Sequence, residues 1–356
     1  MSHSQLAKDL LDYNARQSES FCSPDAKIWR QDYRERHSTE IAAFKCMDGR
    51  LNLSVMSNTP PGIIQPYRNV GGKFDLGWPH LYELVKGWVD YSISQRRRNI
   101  IFETYHWSKG DRHRGCAGFD YKTEDACAFT EVLKAQVEDI FGSSHRQIYP
   151  VRLGIETDSD SFLLHGEDGK TLDLFEYPGM KTGELESSID SLFPDMRRSM
   201  RRDLVPILKG NLAHIEDVKA EGRDLKEMGH YEQIIALGRG FDWLHLPNPE
   251  FGGRTALIIG PYSFDLTVPV ATAAKIVWGN IESGVVDKKE GIVLFANAAY
   301  RFEGPDRVHA IHKARSLAKL ARDVIGKEQP DLAEHVDFLV GITDLNTRRF
   351  TEVGEN

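Results

Sequence analysis

The chain carries the same pattern twice. Residues 234–246 lie over residues 41–53 without a gap, with apolar positions matching apolar positions. Further along, Ile258-Ile259-Gly260-Pro261-Tyr262 answers Ile63-Ile64-Gln65-Pro66-Tyr67, and Phe264-Asp265-Leu266 answers Phe74-Asp75-Leu76. The apolar run from Ile292 answers the one from Ile100, and Gly341-Ile342-Thr343 answers Gly154-Ile155-Glu156. Ordered matches at a nearly constant offset point to an internal duplication with a break near residue 178. The fold of one half must therefore serve for the other. Each half alternates short apolar runs, bounded by polar turn residues, with longer stretches of helical spacing such as Leu81, Leu84, Val85, Trp88 and Val89. That alternation predicts an α/β fold with buried, largely parallel strands. The expected organisation is an N-terminal helical arm over residues 1–40, an α/β unit over 41–178 and a second over 179–356. The arm reads as two amphipathic helices (Leu6, Leu10, Leu11, Tyr13; then Ile28, Trp29, Tyr33), the second opened by Ser23-Pro24-Asp25. A helix is expected over 120–141 with Thr123 as its cap and Cys127 inside it as a core residue.

Composition narrows the function. With 40% hydrophobic and 28% charged residues and a formal net charge of -8, the chain reads as an ordinary globular protein whose main partner is not nucleic acid. No apolar run approaches the roughly 20 residues of a membrane-spanning helix, and the amino terminus lacks the apolar core of a signal peptide, so a cytoplasmic protein is expected. Four cysteines (Cys22, Cys46, Cys116, Cys127) in a chain of 356 residues make no disulfide framework. Those with polar neighbours are candidates for ligands or nucleophiles, whereas Cys22 falls in the turn between the two arm helices and reads as a thiol without chemistry.

The chemistry gathers at Cys46-Met47-Asp48-Gly49-Arg50, directly after the strand-like run Ile41-Ala42-Ala43-Phe44. The carboxyl end of a strand is where open α/β sheets carry their sites. A Cys thiolate is a soft ligand suited to Zn²⁺, Asp48 can accept a hydrogen bond, and Arg50 can hold Asp48 ionised by bidentate pairing. A second strand-like run, residues 100–105, ends on His106, and the following loop carries His113 and Cys116. Two thiols and an imidazole make three protein ligands for tetrahedral zinc and leave the fourth position to water, the composition of an open catalytic site. The intervening Arg68-Asn69-Val70-Gly71-Gly72 reads as a tight turn, with a small-anion site as the alternative. Arg96, Arg97 and Arg98 read as a solvated helix end, and Arg197, Arg198, Arg201 and Arg202 as a solvated or interface-lining face, with an anion site as the alternative.

The Cys-x-Asp-x-Arg run, the Arg-Asn-Val-Gly-Gly segment and a strand ending in His before a Gly-Cys turn, in this order, resemble β-class carbonic anhydrases. The long stretch between His106 and Cys116 is most similar to the divergent carboxysomal branch of that class. The resemblance implies two β-carbonic-anhydrase-like units, with Cys46, His106 and Cys116 binding Zn²⁺ and Asp48 and Arg50 as the supporting dyad. Standard members carry the His three positions before the second Cys, which selects His113; their His also follows directly on its strand, which selects His106, and His106 is preferred with His113 as the alternative. The implied reaction is reversible hydration of carbon dioxide to bicarbonate by a zinc-bound hydroxide, and in some members the Asp instead swings onto the zinc and shuts the site. Carbonyl sulfide or carbon disulfide as substrate is one alternative; a non-catalytic, zinc-stabilised assembly protein is another, against which the Asp48–Arg50 dyad speaks. In the second half Cys46 aligns with Arg239, Asp48 with Phe241, Arg50 with Trp243 and His106 with Ala299 or Tyr300, so that unit is expected to be degenerate and structural. Because β-class enzymes resemble obligate pairs, the copy is expected to act as a fused partner, with any homo-oligomer built on this internal pair. Only about 40 residues precede the first strand, whereas the carboxysomal branch carries a long N-terminal extension, which favours the cytoplasm over the carboxysome.

Overall fold

The computed structural model describes residues 3–144, 147–222, 231–244 and 253–354. The end of the first repeat segment, residues 245 and 246, lies outside the described residues. The arm forms α1 (Gln5–Cys22) and α2 (Pro24–Arg36). Ser4 and Ser23 cap them, each side chain accepting from the backbone N–H three residues on, and Pro24 occupies the first turn of α2 as its fixed φ favours. Among the described residues no helix is long and apolar enough to cross a membrane.

The first unit follows with β1 (Thr39–Cys46), a short α3 (Leu53–Met56), β2 (Ile64–Asn69), α4 (Pro79–Ser94), β3 (Arg98–Trp107), α5 (Thr123–Phe141), β4 (Ile148–Glu156), β5 (Ser161–His165) and β6 (Thr171–Asp173). These strands make a sheet of order β2-β1-β3-β4-β5-β6, parallel through β4 and antiparallel beyond. Helix α5 starts at Thr123 and not at residue 120, with Lys122 in the capping position instead of Thr123. The reason is local: Asp120 and Tyr121 hold left-handed φ angles of 50° and 60°, which no α-helix admits.

Next come α6 (Thr182–Leu192) and α7 (Arg198–Glu221), and then the second unit: β7 (Glu232–Gly238), β8 (Thr255–Ile259), α8 (Thr267–Glu282), β9 (Ile292–Tyr300), α9 (Pro305–Glu328), a short α10 (Pro330–Ala333), β10 (Val336–Asp344) and β11 (Phe350–Glu352). Its sheet, read β8-β7-β9-β10-β11, repeats β2-β1-β3-β4-β5 strand for strand, parallel through β10 and antiparallel at β11. The chain therefore folds as two like α/β units. The matched glycines share a packing role. A Cβ on Gly154 would meet the Tyr105 and Trp107 rings at 2.7 Å, and one on Gly341 would meet the Phe350 ring at 2.3 Å.

Helices cross between the units. The apolar face of α1 (Leu6, Ala7, Leu10, Tyr13) is buried with Ile234, Ala236, Phe295 and Trp243 of the second sheet. Each large side chain so covered contributes on the order of 1.5–3 kcal/mol. Reciprocally, α7 lies on the first unit: fully buried Asn211 donates to the carbonyls of Met56 (2.9 Å) and Asp160 (2.8 Å) and accepts from the Phe162 N–H (3.0 Å). Asp203 of α7 accepts from the Thr39 hydroxyl at 2.7 Å. Helix α1 thus covers the second sheet and α7 packs on the first, so packing crosses the residue 178/179 division. Where the units meet, the Ile258 N–H donates to the Met47 carbonyl (2.6 Å), Gly49 N–H to Ala256 (2.8 Å) and Gly260 N–H to Arg68 (2.8 Å). Tyr67 and Tyr262, which the sequence repeat sets against each other, stand with ring centroids 5.2 Å apart.

Candidate metal centre

Cys46 is the last residue of β1 and His106 lies near the end of β3, its parallel neighbour, so both reach the same carboxyl edge of the first sheet. The loop after β3 returns Cys116 to that edge. The ligand atoms of Cys46, His106 and Cys116 all lie within 4.8 Å of one another, with the two sulfurs 3.9 Å apart and unbonded. All three residues are buried, at 6%, 2% and 4% exposure. His113 lies outside this group: it is exposed, its ring edge-on to Tyr121 at 5.1 Å. No other such group of metal-ligating side chains occurs among the described residues.

The donors suit a cation. Neither ring nitrogen of His106 has a hydrogen-bond partner among the described residues. Leaving a buried polar group unpaired costs about 1–3 kcal/mol, which a bound metal would recover at one nitrogen. The Cys116 thiol donating to Cys46 pulls the Cys46 pKa well down against the effect of burial, with His106 adding to it; the Cys116 thiol is correspondingly pushed up. Two sulfurs and one imidazole form a donor set that fits zinc.

Beside this group Asp48 and Arg50 form a buried ion pair. Arg50 Nη2 donates to Asp48 Oδ2 at 2.6 Å, Nε to both carboxylate oxygens at 3.1 Å, and the Arg50 backbone N–H to Oδ1 at 2.9 Å. Burial alone would raise the Asp48 pKa, but the Arg50 charge and hydrogen bonds outweigh it and hold the carboxyl well below its ordinary range. Arg50 Nη2 also donates to the Arg114 carbonyl at 3.1 Å.

Two buried basic side chains beneath the loop have partners that a reading of the sequence does not reveal. Arg68 donates to the carbonyls of Asp48 (2.7 Å) and Leu51 (2.8 Å), and Lys45 donates to Leu51 as well (2.8 Å). Their partners are backbone carbonyls, which leave no mark in a motif. Gly71 and Gly72 both hold a φ of 65°, and a Cβ on Gly118 would stand 2.5 Å from Gly71 Cα. The glycine segment is a tight turn that lets the Cys116 loop press against it.

In the second unit Phe241 and Trp243, counterparts of Asp48 and Arg50, pack on Phe295 with ring centroids 5.7 and 6.0 Å away. A cavity of about 510 Å³ adjoins the dyad loop through Lys45, Asn52 and Arg68, and none of Cys46, Asp48, Arg50, His106 or Cys116 lines it.

No protein-family model matches the chain. It is 24% identical over 297 residues to the carboxysome shell carbonic anhydrase of Prochlorococcus marinus subsp. pastoris, an alignment covering 72% of this chain and 56% of that protein. It is 25% identical over 298 residues to the carboxysome shell carbonic anhydrase of Hydrogenovibrio crunogenus, covering 73% of this chain and 51% of that protein. The chain spans about half the length of these curated relatives. With this similarity and its paired α/β units, the chain is a divergent relative of the carboxysome shell carbonic anhydrases.

Proposed function

We propose that the protein is a zinc-dependent carbonic anhydrase that interconverts carbon dioxide and bicarbonate, with Cys46, His106 and Cys116 as the metal ligands and Asp48 and Arg50 as the catalytic dyad. The observation that carries this reading is the pairing of a three-donor group with an intact buried Asp–Arg pair at one sheet edge. A closed structural zinc site needs a fourth protein ligand and no such pair. Zinc, when bound, lowers the pKa of a coordinated water to about 7 and so supplies a hydroxide nucleophile at neutral pH. Asp48, kept ionised by Arg50, is an acceptor only and would orient the nucleophile by taking a hydrogen bond from it. Arg50, held between Asp48 and the Arg114 carbonyl, keeps that acceptor in place. His113, exposed on the Cys116 loop, can pass the released proton to buffer.

The two units derive, in this reading, from a duplication whose second copy has become structural. Its β8 pairs with residues 47–49, so the copy acts as a built-in partner that braces the dyad loop. The protein would work in the cytoplasm or within a carboxysome, as a pseudo-dimer on which a larger homo-oligomer could be built.

Zinc analysis and stopped-flow CO₂ hydration on the full chain test this. Wild type is expected to hold one zinc per chain and to turn over. Cys46→Ala and His106→Ala should lose both, and Asp48→Asn should keep zinc and lose at least about tenfold in kcat. His113→Ala should keep zinc and slow only at low buffer concentration. Zinc retained by His106→Ala and lost by His113→Ala would contradict the ligand assignment. Zinc-replete wild type that hydrolyses carbonyl sulfide or carbon disulfide but does not hydrate CO₂ would contradict the substrate.

A further inference from the structure

The stretch between His106 and Cys116 poses a physical problem. A ligand at the end of a long connection is held only if something else fixes the loop, because a flexible loop does not keep a donor in place. One carboxylate outside the loop meets that need. Asp158, in the turn between β4 and β5, accepts from the Ser108 hydroxyl at 2.8 and 3.0 Å and from the Gly110 N–H at 2.6 Å. It also stands 3.5 Å from Arg114 Nη2, with the side chains only 13% and 8% exposed. It therefore ties the start of the loop to its end. Asp158 is itself fixed, since its N–H donates to Glu156 Oε1 (3.0 Å), an oxygen that also takes the Lys109 N–H (3.2 Å). From Arg114 the connection runs two ways: its carbonyl accepts Arg50 Nη2 at 3.1 Å, and Cys116 lies two residues on.

We propose that Asp158 is a positioning residue of the metal centre, holding the 108–114 loop so that the Cys116 thiolate meets Cys46 and His106 while the Arg114 carbonyl anchors Arg50. The inference rests on the zinc reading and deepens it. Asp158 touches neither the metal ligands nor the dyad directly. Its effect passes through a charged partner and two loop donors, and groups that orient metal ligands from behind are typically worth ten- to a hundredfold in affinity.

The test uses the full apo chain titrated with cobalt(II), whose thiolate charge-transfer and visible bands report the ligand set without any turnover, followed by competition with zinc. Asp158→Ala is expected to weaken metal binding about ten- to a hundredfold and to diminish the thiolate bands. Asp158→Asn, which keeps an acceptor oxygen but loses the charge, should fall between the two. Asp111→Asn, exposed on the same loop, should behave as wild type. In the apo protein, amide exchange at Gly110 and residues 112–115 should quicken in the Asp158 variants and not in Asp111→Asn. If Asp158→Ala does not fold, Asp158→Asn decides. Wild type that shows thiolate–cobalt bands, alongside Asp158 variants of equal affinity, equal spectrum and equal exchange, overturns this inference alone. Wild type without those bands overturns the metal reading and this inference with it.

Discussion

His106 and Glu103, both buried on β3, hold polar atoms without a hydrogen-bond partner among the described residues, and their surroundings give them opposite meanings. His106 lies among sulfurs, where an unpaired imidazole nitrogen is suited to a cation. Glu103 is fully buried and neither carboxylate oxygen has a hydrogen-bond partner among the described residues. Burial pushes its pKa well above the ordinary range, and the Lys134 and Arg152 charges are too weak to reverse this. In the unfolded chain the same group ionises near pH 4.3, so the native state retains a proton that the unfolded state releases. Stability from this group is whole below about pH 4 and is lost as pH rises towards the folded pKa. Glu103→Gln, which keeps the shape and cannot ionise, should therefore gain stability relative to wild type as pH rises from about 4 towards 7. Urea unfolding at several pH values measures it, and a pH-independent effect would contradict the account. Cys46 and His106 stood out in the letters because each closes an apolar run, and Cys116 because it lies on the loop that follows the second run. Glu103 was not: nothing in Ile100-Ile101-Phe102-Glu103 says that a helix covers that face as well.

At the scale of elements, the parallel strands were legible because burial on both faces leaves continuous apolar runs, as in Ile41-Ala42-Ala43-Phe44. The start of α5 was not, because the left-handed pair Asp120–Tyr121 is set by the turn that closes the Cys116 loop and not by a helix-breaking residue. The glycines separate turn chemistry from close approach. A Cβ on Gly118 would meet Gly71 Cα at 2.5 Å and Gly71 N at 2.6 Å, backbone that cannot swing aside. Gly118→Ala should therefore cost about 1–3 kcal/mol and weaken metal binding by displacing the Cys116 loop. Gly87, within α4, has nothing within 4 Å of a built Cβ, and Gly87→Ala should stabilise by about 0.5–1 kcal/mol without touching the metal. Denaturant unfolding of the two variants side by side checks both signs. Equal stability of Gly118→Ala and wild type would contradict the close backbone packing.

Over the whole molecule, the repeat made two units visible, and the strand orders of the two sheets agree with it. The exchange of helices was not visible, since an amphipathic stretch shows that a helix has an apolar face without saying which sheet covers it. Leu6, Leu10 and Tyr13 precede the first sheet and bury against the second, while Asn211 precedes the second sheet and bonds into the first. Such crossing ties the units into one body and lets residues 47–49 take backbone pairing from Ala256 and Ile258 across the junction. The central claim is that this body brings two sulfurs far apart in sequence and one imidazole onto a single zinc with room for one more ligand. X-ray absorption at the zinc edge of the reconstituted full chain tests it most directly. The account predicts two sulfurs at about 2.3 Å with two nitrogen or oxygen neighbours at about 2.0–2.1 Å. A zinc surrounded by oxygen and nitrogen alone, or a spectrum unchanged by Cys116→Ala, would contradict it.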